Sequence, residues 1–103
     1  MNPDSDELLR AKLNAETGRL AWKELERHFA RGAVIKVAPG MDLVAVALAV
    51  ARDDQAAIAA WLGDGRLGRA GGEDAIAWHG RDAVFWAVVT APWVLVQEIT
   101  DPM

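Results

Sequence analysis

Side chains able to act as nucleophiles are scarce in this sequence. The chain has no cysteine and no tyrosine. Its single serine, Ser5, stands at the start of a predicted helix, where capping of free backbone N–H groups explains it. Thr90 has no histidine or lysine close to it in the sequence. Covalent catalysis of the Ser–His or Cys–His type therefore lacks its components.

The two histidines are the remaining candidates for acid–base chemistry. His28 follows Glu24 by one helical turn, which is an ordinary surface pair. His79 stands beside Trp78 and is a candidate general base, although a polar residue at a helix end explains it more simply. Without cysteine, and without histidines at ligand spacing, the sequence predicts no metal site and no other cofactor.

One phosphate-binding motif is matched letter for letter. Gly63, Gly65 and Gly68 fit G-x-G-x-x-G. The dinucleotide fingerprint needs a strand before the glycines and a helix after them. Here the glycines follow a predicted helix, and Asp64 places a negative charge where a pyrophosphate would lie. The motif therefore predicts a chain reversal and not a nucleotide site.

Composition and charge narrow the class of protein. We expect one domain over residues 1–103, with 52% apolar and 25% charged residues. The net charge of −4 disfavours binding to nucleic acid or to an anionic membrane. The N-terminus is acidic and polar, unlike a secretory signal, and the apolar runs are too short to span a bilayer. We therefore expect a cytoplasmic protein without a membrane segment.

The stretch 83–99 predicts the centre of the fold. It is rich in Val, Trp and Phe, which suit a strand. Both alternating faces of residues 84–89 are apolar, so we expect this strand to be covered on both sides. Pro92 interrupts the run. The sequence therefore predicts a C-terminal β ribbon over about residues 84–99.

The segments that precede the ribbon predict the helices and short strands that pack against it. Residues 43–51 are apolar without a break, which predicts a buried helix capped by Asp42; their many β-branched residues leave a strand open as the alternative. Short strands are predicted over 33–37 and around Leu67. The other predicted helices span about residues 5–16 (with Gly18 as the residue that ends the helix and Leu20 on its apolar stripe), 22–31, 54–62 and 71–80. The predicted class is α+β: a small antiparallel or mixed sheet with four to five helices over the ribbon.

The same order of elements imitates a winged helix-turn-helix, which is the alternative fold. Its would-be recognition helix begins with acidic residues 53–54, and Gln55 is its only base-reading side chain. Arg66, Arg69 and Arg81 are scattered among acids, as on a solvated surface. Nucleic-acid binding is therefore the alternative function, and the charge opposes it.

The five tryptophans point to contact with other proteins. Tryptophan is favoured at interfaces, although burial in the core alone also explains such residues. Trp22 and Trp61 lie on predicted inward helix faces, and Trp86 is expected to pack against the helices. Trp78 and Trp93 are expected to be partly exposed.

The last strand offers a route to self-association. If residues 93–99 form an edge, they can pair with a second copy in a two-fold dimer. The predicted interaction surface consists of Trp78, His79, Trp93, Val94, Val96, Arg66 and Arg69. We expect a non-catalytic interaction or regulatory module that contacts an unknown protein partner or itself, with an enzyme as the third hypothesis.

Three segments of the chain resemble a bacterial family. They are LNAETGRLAWKELERHFARG (residues 13–32), MDLV (41–44) and FWAVVTAPWVLVQE (85–98). Together they are similar to domain of unknown function 2288. The resemblance implies a small bacterial cytosolic protein, and it supplies no activity, ligand or catalytic residue.

Overall fold

Five helices and five strands are present in the computed structural model, which describes residues 3–100 and the side chains of residues 5–100. The helices are α1 (Pro3–Glu16), α2 (Trp22–Ala30), α3 (Leu43–Ala51), α4 (Gln55–Gly63) and α5 (Gly72–Gly80). The strands are β1 (Gly18–Ala21), β2 (Val34–Val37), β3 (Leu67–Arg69), β4 (Val84–Thr90) and β5 (Trp93–Glu98). The predicted α+β class is confirmed, with a mixed sheet.

The five strands form one sheet in the order β1-β4-β5-β2-β3. Neighbouring strands are antiparallel except for β2 and β5, which are parallel. The predicted ribbon is confirmed as β4 and β5, which pair from Thr90 opposite Trp93 to Phe85 opposite Glu98. The last strand is not an edge, because β2 pairs along the other side of β5, so the condition for pairing a second copy through this strand is not met.

The winged-helix alternative does not match this topology. In that alternative, the strand around Leu67 leads directly into the ribbon, whereas α5 lies between them in the structure. In the structure β3 pairs with β2, and β5 separates β2 from β4. The strand alternative for residues 43–51 is also wrong. They form α3, whose first backbone N–H groups are capped by the Asp42 carboxylate.

Buried side chains form one group on each face of the sheet. We call the side covered by α1, α3 and α4 the α3 face, and the side covered by α2 and α5 the α5 face. The α3 face buries Leu13, Val37, Leu43, Val46, Ala47, Leu67, Val88 and Leu95. The α5 face buries Trp22, Leu25, Val34, Trp78, Ala83, Phe85, Val94 and Val96. The sheet therefore has apolar cover on both sides at its centre.

The expected cover of β4 is incomplete at two positions. Trp86 is 43% exposed and Val89 is 59% exposed. Val89 lies beyond the end of β1, because Gly18 pairs with Ala87. Trp86 stands next to the outer strand and is covered in part by Arg19, whose Cζ lies 5.8 Å from the Trp86 ring centroid. The predicted packing of Trp86 against the helices is therefore only partial.

The strand β1 was not predicted. Gly18 begins this strand and does not end α1, and Leu20 lies in the strand, not on a helical stripe. Four residues that include a glycine carry little strand preference of their own. They are extended because they pair with β4. No helix among residues 3–100 is long and apolar enough to cross a membrane.

Candidate interaction cleft

An apolar cleft of about 290 Å³ opens on the α3 face between α3, α4 and the sheet. Strands β2, β3 and β5 supply one side of it, and the two helices supply the other. Its lining residues are Ile35, Val50, Ile58, Leu62, Leu67, Arg69, Trp93 and Leu95. Pockets of this size and apolar character commonly hold ligand groups or the anchoring side chains of a partner.

Local sequence explains why α4 and β3 meet at this cleft. The Asp54 carboxylate accepts a hydrogen bond from the Ala57 N–H and starts α4. The chain then reverses between Gly63 and Gly68, where Gly65 has a φ of 82°, a conformation that favours glycine. The glycine motif is thus the turn from a helix into a strand, as the sequence predicts.

Residue spacing within α4 and β3 determines which side chains face the cleft. Ile58 and Leu62 are one helical turn apart, so they share a face of α4. Leu67 and Arg69 are two positions apart in β3 and point to the same side of the sheet. The spacing of Ile58, Trp61 and Leu62 predicts that all three face inward. Leu62 is nevertheless 52% exposed, because it stands at the mouth of the cleft.

Arg69 is the one charged side chain among the described residues that line the cleft. Its Cζ lies 5.2 Å from the centroid of the Trp93 ring, within the range of a cation–π contact. No carboxylate of residues 5–100 lies within ion-pair distance of it. The guanidinium is therefore held over an aromatic face with its donors free for an external acceptor.

The cleft brings together two of the predicted interaction residues, Arg69 and Trp93. Three others are corrected by their burial. Val94 and Val96 are buried because β5 is central in the sheet, and Trp78 is buried because α5 packs it against Phe85, with ring centroids 4.8 Å apart. These three side chains are interior and do not form a contact surface.

The last two predicted residues lie away from the cleft. His79 is exposed near the end of α5, which covers the opposite face of the sheet. Arg66 lines a second groove, of about 300 Å³, at the ends of β2 and β5. Asp64 binds its guanidinium at 2.7 Å, which raises the pKa of Arg66 and lowers the pKa of Asp64.

The second groove carries paired charges throughout. Arg81 donates two hydrogen bonds to Glu98, at 2.6 and 2.8 Å, and this lowers the pKa of Glu98. Burial raises the pKa of Asp74, but hydrogen bonds from the Gly71 N–H and from Lys36 outweigh it and leave the pKa lowered. These carboxylates are therefore ionised near neutral pH and do not act as general acids there.

A threonine nucleophile and a metal site are the two other catalytic arrangements considered for the described residues. The Thr90 hydroxyl is buried without a hydrogen-bond partner, so a substrate does not reach it. No group of three or more His, Asp or Glu residues within this part of the chain is placed to hold a metal ion.

Sequence reasoning missed most of the apolar lining of the cleft. Among its apolar lining residues, only Trp93 belongs to the predicted interaction surface. The available signal was the apolar stripe of α4, which continues to Leu62 near the end of the helix. Strand order, which places β3 next to β2, could not be seen in local patterns.

Comparison with known proteins gives a family and a fold. The model for a protein of unknown function (DUF2288) matches residues 8–98. The NMR solution structure of PA1075 from Pseudomonas aeruginosa is similar, with a TM-score of 0.81 and 44% identity. The match covers 98% of this chain and 94% of that one. No curated protein matches. The chain therefore belongs to the family of domain of unknown function 2288.

Proposed function

We propose that this protein is a non-catalytic interaction module that binds a segment of another protein in the apolar cleft. An apolar side chain of the partner enters the cleft, and a carboxylate next to that side chain pairs with Arg69. The observation that carries this proposal is the cleft itself: apolar walls with one unpaired cation over Trp93 at its side.

The chemistry of Arg69 supports a carboxylate on the partner. A guanidinium presents its donors in a planar fork that fits a carboxylate with two parallel hydrogen bonds. Contact with Trp93 limits the orientations of the Arg69 side chain, so less conformational freedom is lost on binding. The adjacent apolar walls fit the uncharged part of the same segment.

The surroundings of the cleft support a protein as the partner. Leu62 extends the apolar surface out of the cleft to the protein surface. Interfaces commonly combine a buried apolar anchor with an arginine or a tryptophan beside it. The ionised carboxylates of the second groove support a binding role over acid–base catalysis. A cytoplasmic location for this interaction is part of the proposal.

Site-specific photo-crosslinking tests the proposal. We expect Leu62→p-benzoylphenylalanine, in living bacterial cells, to give one discrete crosslinked protein. The control is Ile76→p-benzoylphenylalanine, because Ile76 is 76% exposed but lies on α5, away from the cleft. Equal crosslinking at both positions would count against a specific cleft partner.

A charge reversal identifies the role of Arg69. Combined with the crosslinker at position 62, Arg69→Glu should abolish the crosslink, because it places a carboxylate against the partner's carboxylate. Arg66→Glu is the matched control three residues earlier, since Arg66 lines the second groove and is already bound by Asp64. A crosslink that survives Arg69→Glu would overturn the proposed recognition.

A further inference from the structure

The strand β1 forms one edge of the sheet, and β3 forms the other. The Trp22 N–H donates to the Ala83 carbonyl, and pairing alternates along an antiparallel ladder. Gly18 and Leu20 therefore direct their backbone groups toward β4, while the Arg19 N–H and C=O and the Ala21 N–H point outward. The opposite edge, β3, differs, because Leu67 there is only 4% exposed.

The edge strand β1 is short and carries the charged Arg19, but the other features that block an edge are absent from the described residues around it. Prolines, bulges and a covering helix protect many sheet edges. Residues 18–21 contain no proline and pair regularly with β4. The charged side chain of Arg19 lies over the Trp86 ring and not across the free backbone groups. The edge is thus open to another extended segment.

The charge next to this edge favours a second copy of the chain. Beside Leu20, the outer side of α2 forms an open groove lined by Lys23, Glu24, Glu26 and Arg27, with His28. These cations and anions balance locally, although the whole chain has a net charge of −4. A balanced surface can face its own copy without net repulsion.

We propose that two copies pair through β1 about a two-fold axis and continue the sheet from one copy into the other. The register places Leu20 opposite Leu20 of the second copy. Arg19 then lies opposite Ala21, whereas a register centred on Arg19 would place two like charges directly opposite each other, which is unfavourable. The Ala21 N–H of each copy donates across the axis to the Arg19 carbonyl of the other copy, because the Ala21 carbonyl belongs to the start of α2.

This interface also explains exposed apolar residues near the edge. Leu20 is half-buried and becomes covered by its copy on the α5 face. Trp86 lies one strand inside the edge on the α3 face, where the second copy adds further cover. The β1 edge and the cleft lie at opposite ends of the strand order, so the inference is independent of the proposed function.

Sedimentation velocity over about 10 μM to about 1 mM protein tests the inference. We expect the wild type to sediment as a dimer in the upper part of this range. Arg19→Pro should be monomeric throughout, because the proline ring occupies the outward side of the edge strand where the second copy pairs. Arg19→Ala leaves that side of the strand open and should remain dimeric, and Arg69→Pro, at the other edge, should remain dimeric too.

A second variant covers failure of Arg19→Pro to fold, which circular dichroism would reveal. Lys23→Glu with Arg27→Glu changes only exposed residues of α2 and makes the facing surfaces acidic. We expect this variant to raise the dimer dissociation constant by about tenfold or more, with partial recovery at high salt. A wild type that stays monomeric up to the highest concentration, or a folded Arg19→Pro that dimerises unchanged, would overturn the inference.

Discussion

The Arg81–Glu98 pair joins the end of α5 to the end of β5, and its geometry is bidentate. The Arg81 guanidinium holds the pKa of Glu98 below its ordinary value of 4.5. Because the folded-state pKa is depressed, the pair stabilises the fold above the unfolded-state pKa. That stability is lost as the pH falls through the folded-state pKa.

We predict that Arg81→Gln lowers the free energy of unfolding at pH 7. The difference from the wild type should shrink progressively as the pH falls below 4.5, the ordinary pKa of Glu98. Urea unfolding of both proteins across this range measures it. Arg31→Gln is the control, because Arg31 is exposed after α2 and makes no ion pair with residues 5–100. A difference that is the same at pH 7 and at acidic pH would contradict the assignment.

The side chains of Phe85 and Val89 differ in burial although both belong to β4. Both side chains point to the α5 face, but Phe85 is fully buried and Val89 is mostly exposed. We predict that Phe85→Ala costs about 3–5 kcal/mol of stability through the cavity it leaves. Val89→Ala should change stability by less than about 0.5 kcal/mol. Chemical denaturation gives both values, and similar losses would show that the strand is covered evenly.

The tryptophans show what residue type alone cannot predict. Trp22 is buried, as its position on an inward helix face predicts. Trp78 was expected to be partly exposed, and Trp86 was expected to pack against the helices. Their environments depend on which element packs against each ring: α5 places Trp78 against Phe85, whereas Trp86 is covered in part by Arg19. Such neighbours come from the tertiary arrangement.

At the scale of single elements, the start of α3 is the best-defined feature. The Asp42 carboxylate accepts hydrogen bonds from the N–H groups of Val44 and Ala45, at 3.0 and 3.2 Å. We predict that Asp42→Ala lowers the free energy of unfolding by about 1 kcal/mol. Asp42→Asn should cost less, because the amide oxygen still caps the helix. Urea titrations at pH 7 measure both changes.

The control for this prediction removes the neighbouring ion pair. Arg10 lies 3.7 Å from Asp42, and both side chains are largely exposed. Exposed pairs of this kind contribute little, so Arg10→Ala should change stability by less than about 0.5 kcal/mol. If Arg10→Ala matched Asp42→Ala, the ion pair and not the cap would account for the effect.

Elements with strong local signals were the ones that sequence could predict. The helix over 43–51 has a cap and a continuous apolar run, and the ribbon has two apolar strands around Pro92. β1 has neither signal and depends on its partner. The cleft itself was not predicted. Trp93 and Arg69 were placed in the predicted interaction surface, but the other walls come from strands and helices that meet through strand order.

At the scale of the whole molecule, the central position of β5 predicts a gradient of local stability. Its amides bond to strands on both sides, and its side chains are buried on both faces. We predict that the amides of Leu95 and Val96 exchange with solvent most slowly, and that amides of α4 exchange much faster because that helix has no fully buried residue. Hydrogen-exchange NMR measures this order.

Equal protection along the chain would contradict this gradient and indicate that opening occurs only by global unfolding. Protection concentrated in α4 would contradict the packing directly. Residues of β1 are a separate reporter, since their outward amides are protected only where a second strand covers them.

The parallel pairing of β2 with β5 has a consequence for synthesis of the protein. Val34 lies beside Val94, so the interior of the sheet joins an early segment of the chain to a late one. While the ribosome is still translating the middle of the message, β2 has no strand on that side, and its apolar residues remain exposed to other nascent chains. Completion of the sheet must follow translation of β5, and a chain released before that point keeps an unfinished, aggregation-prone sheet.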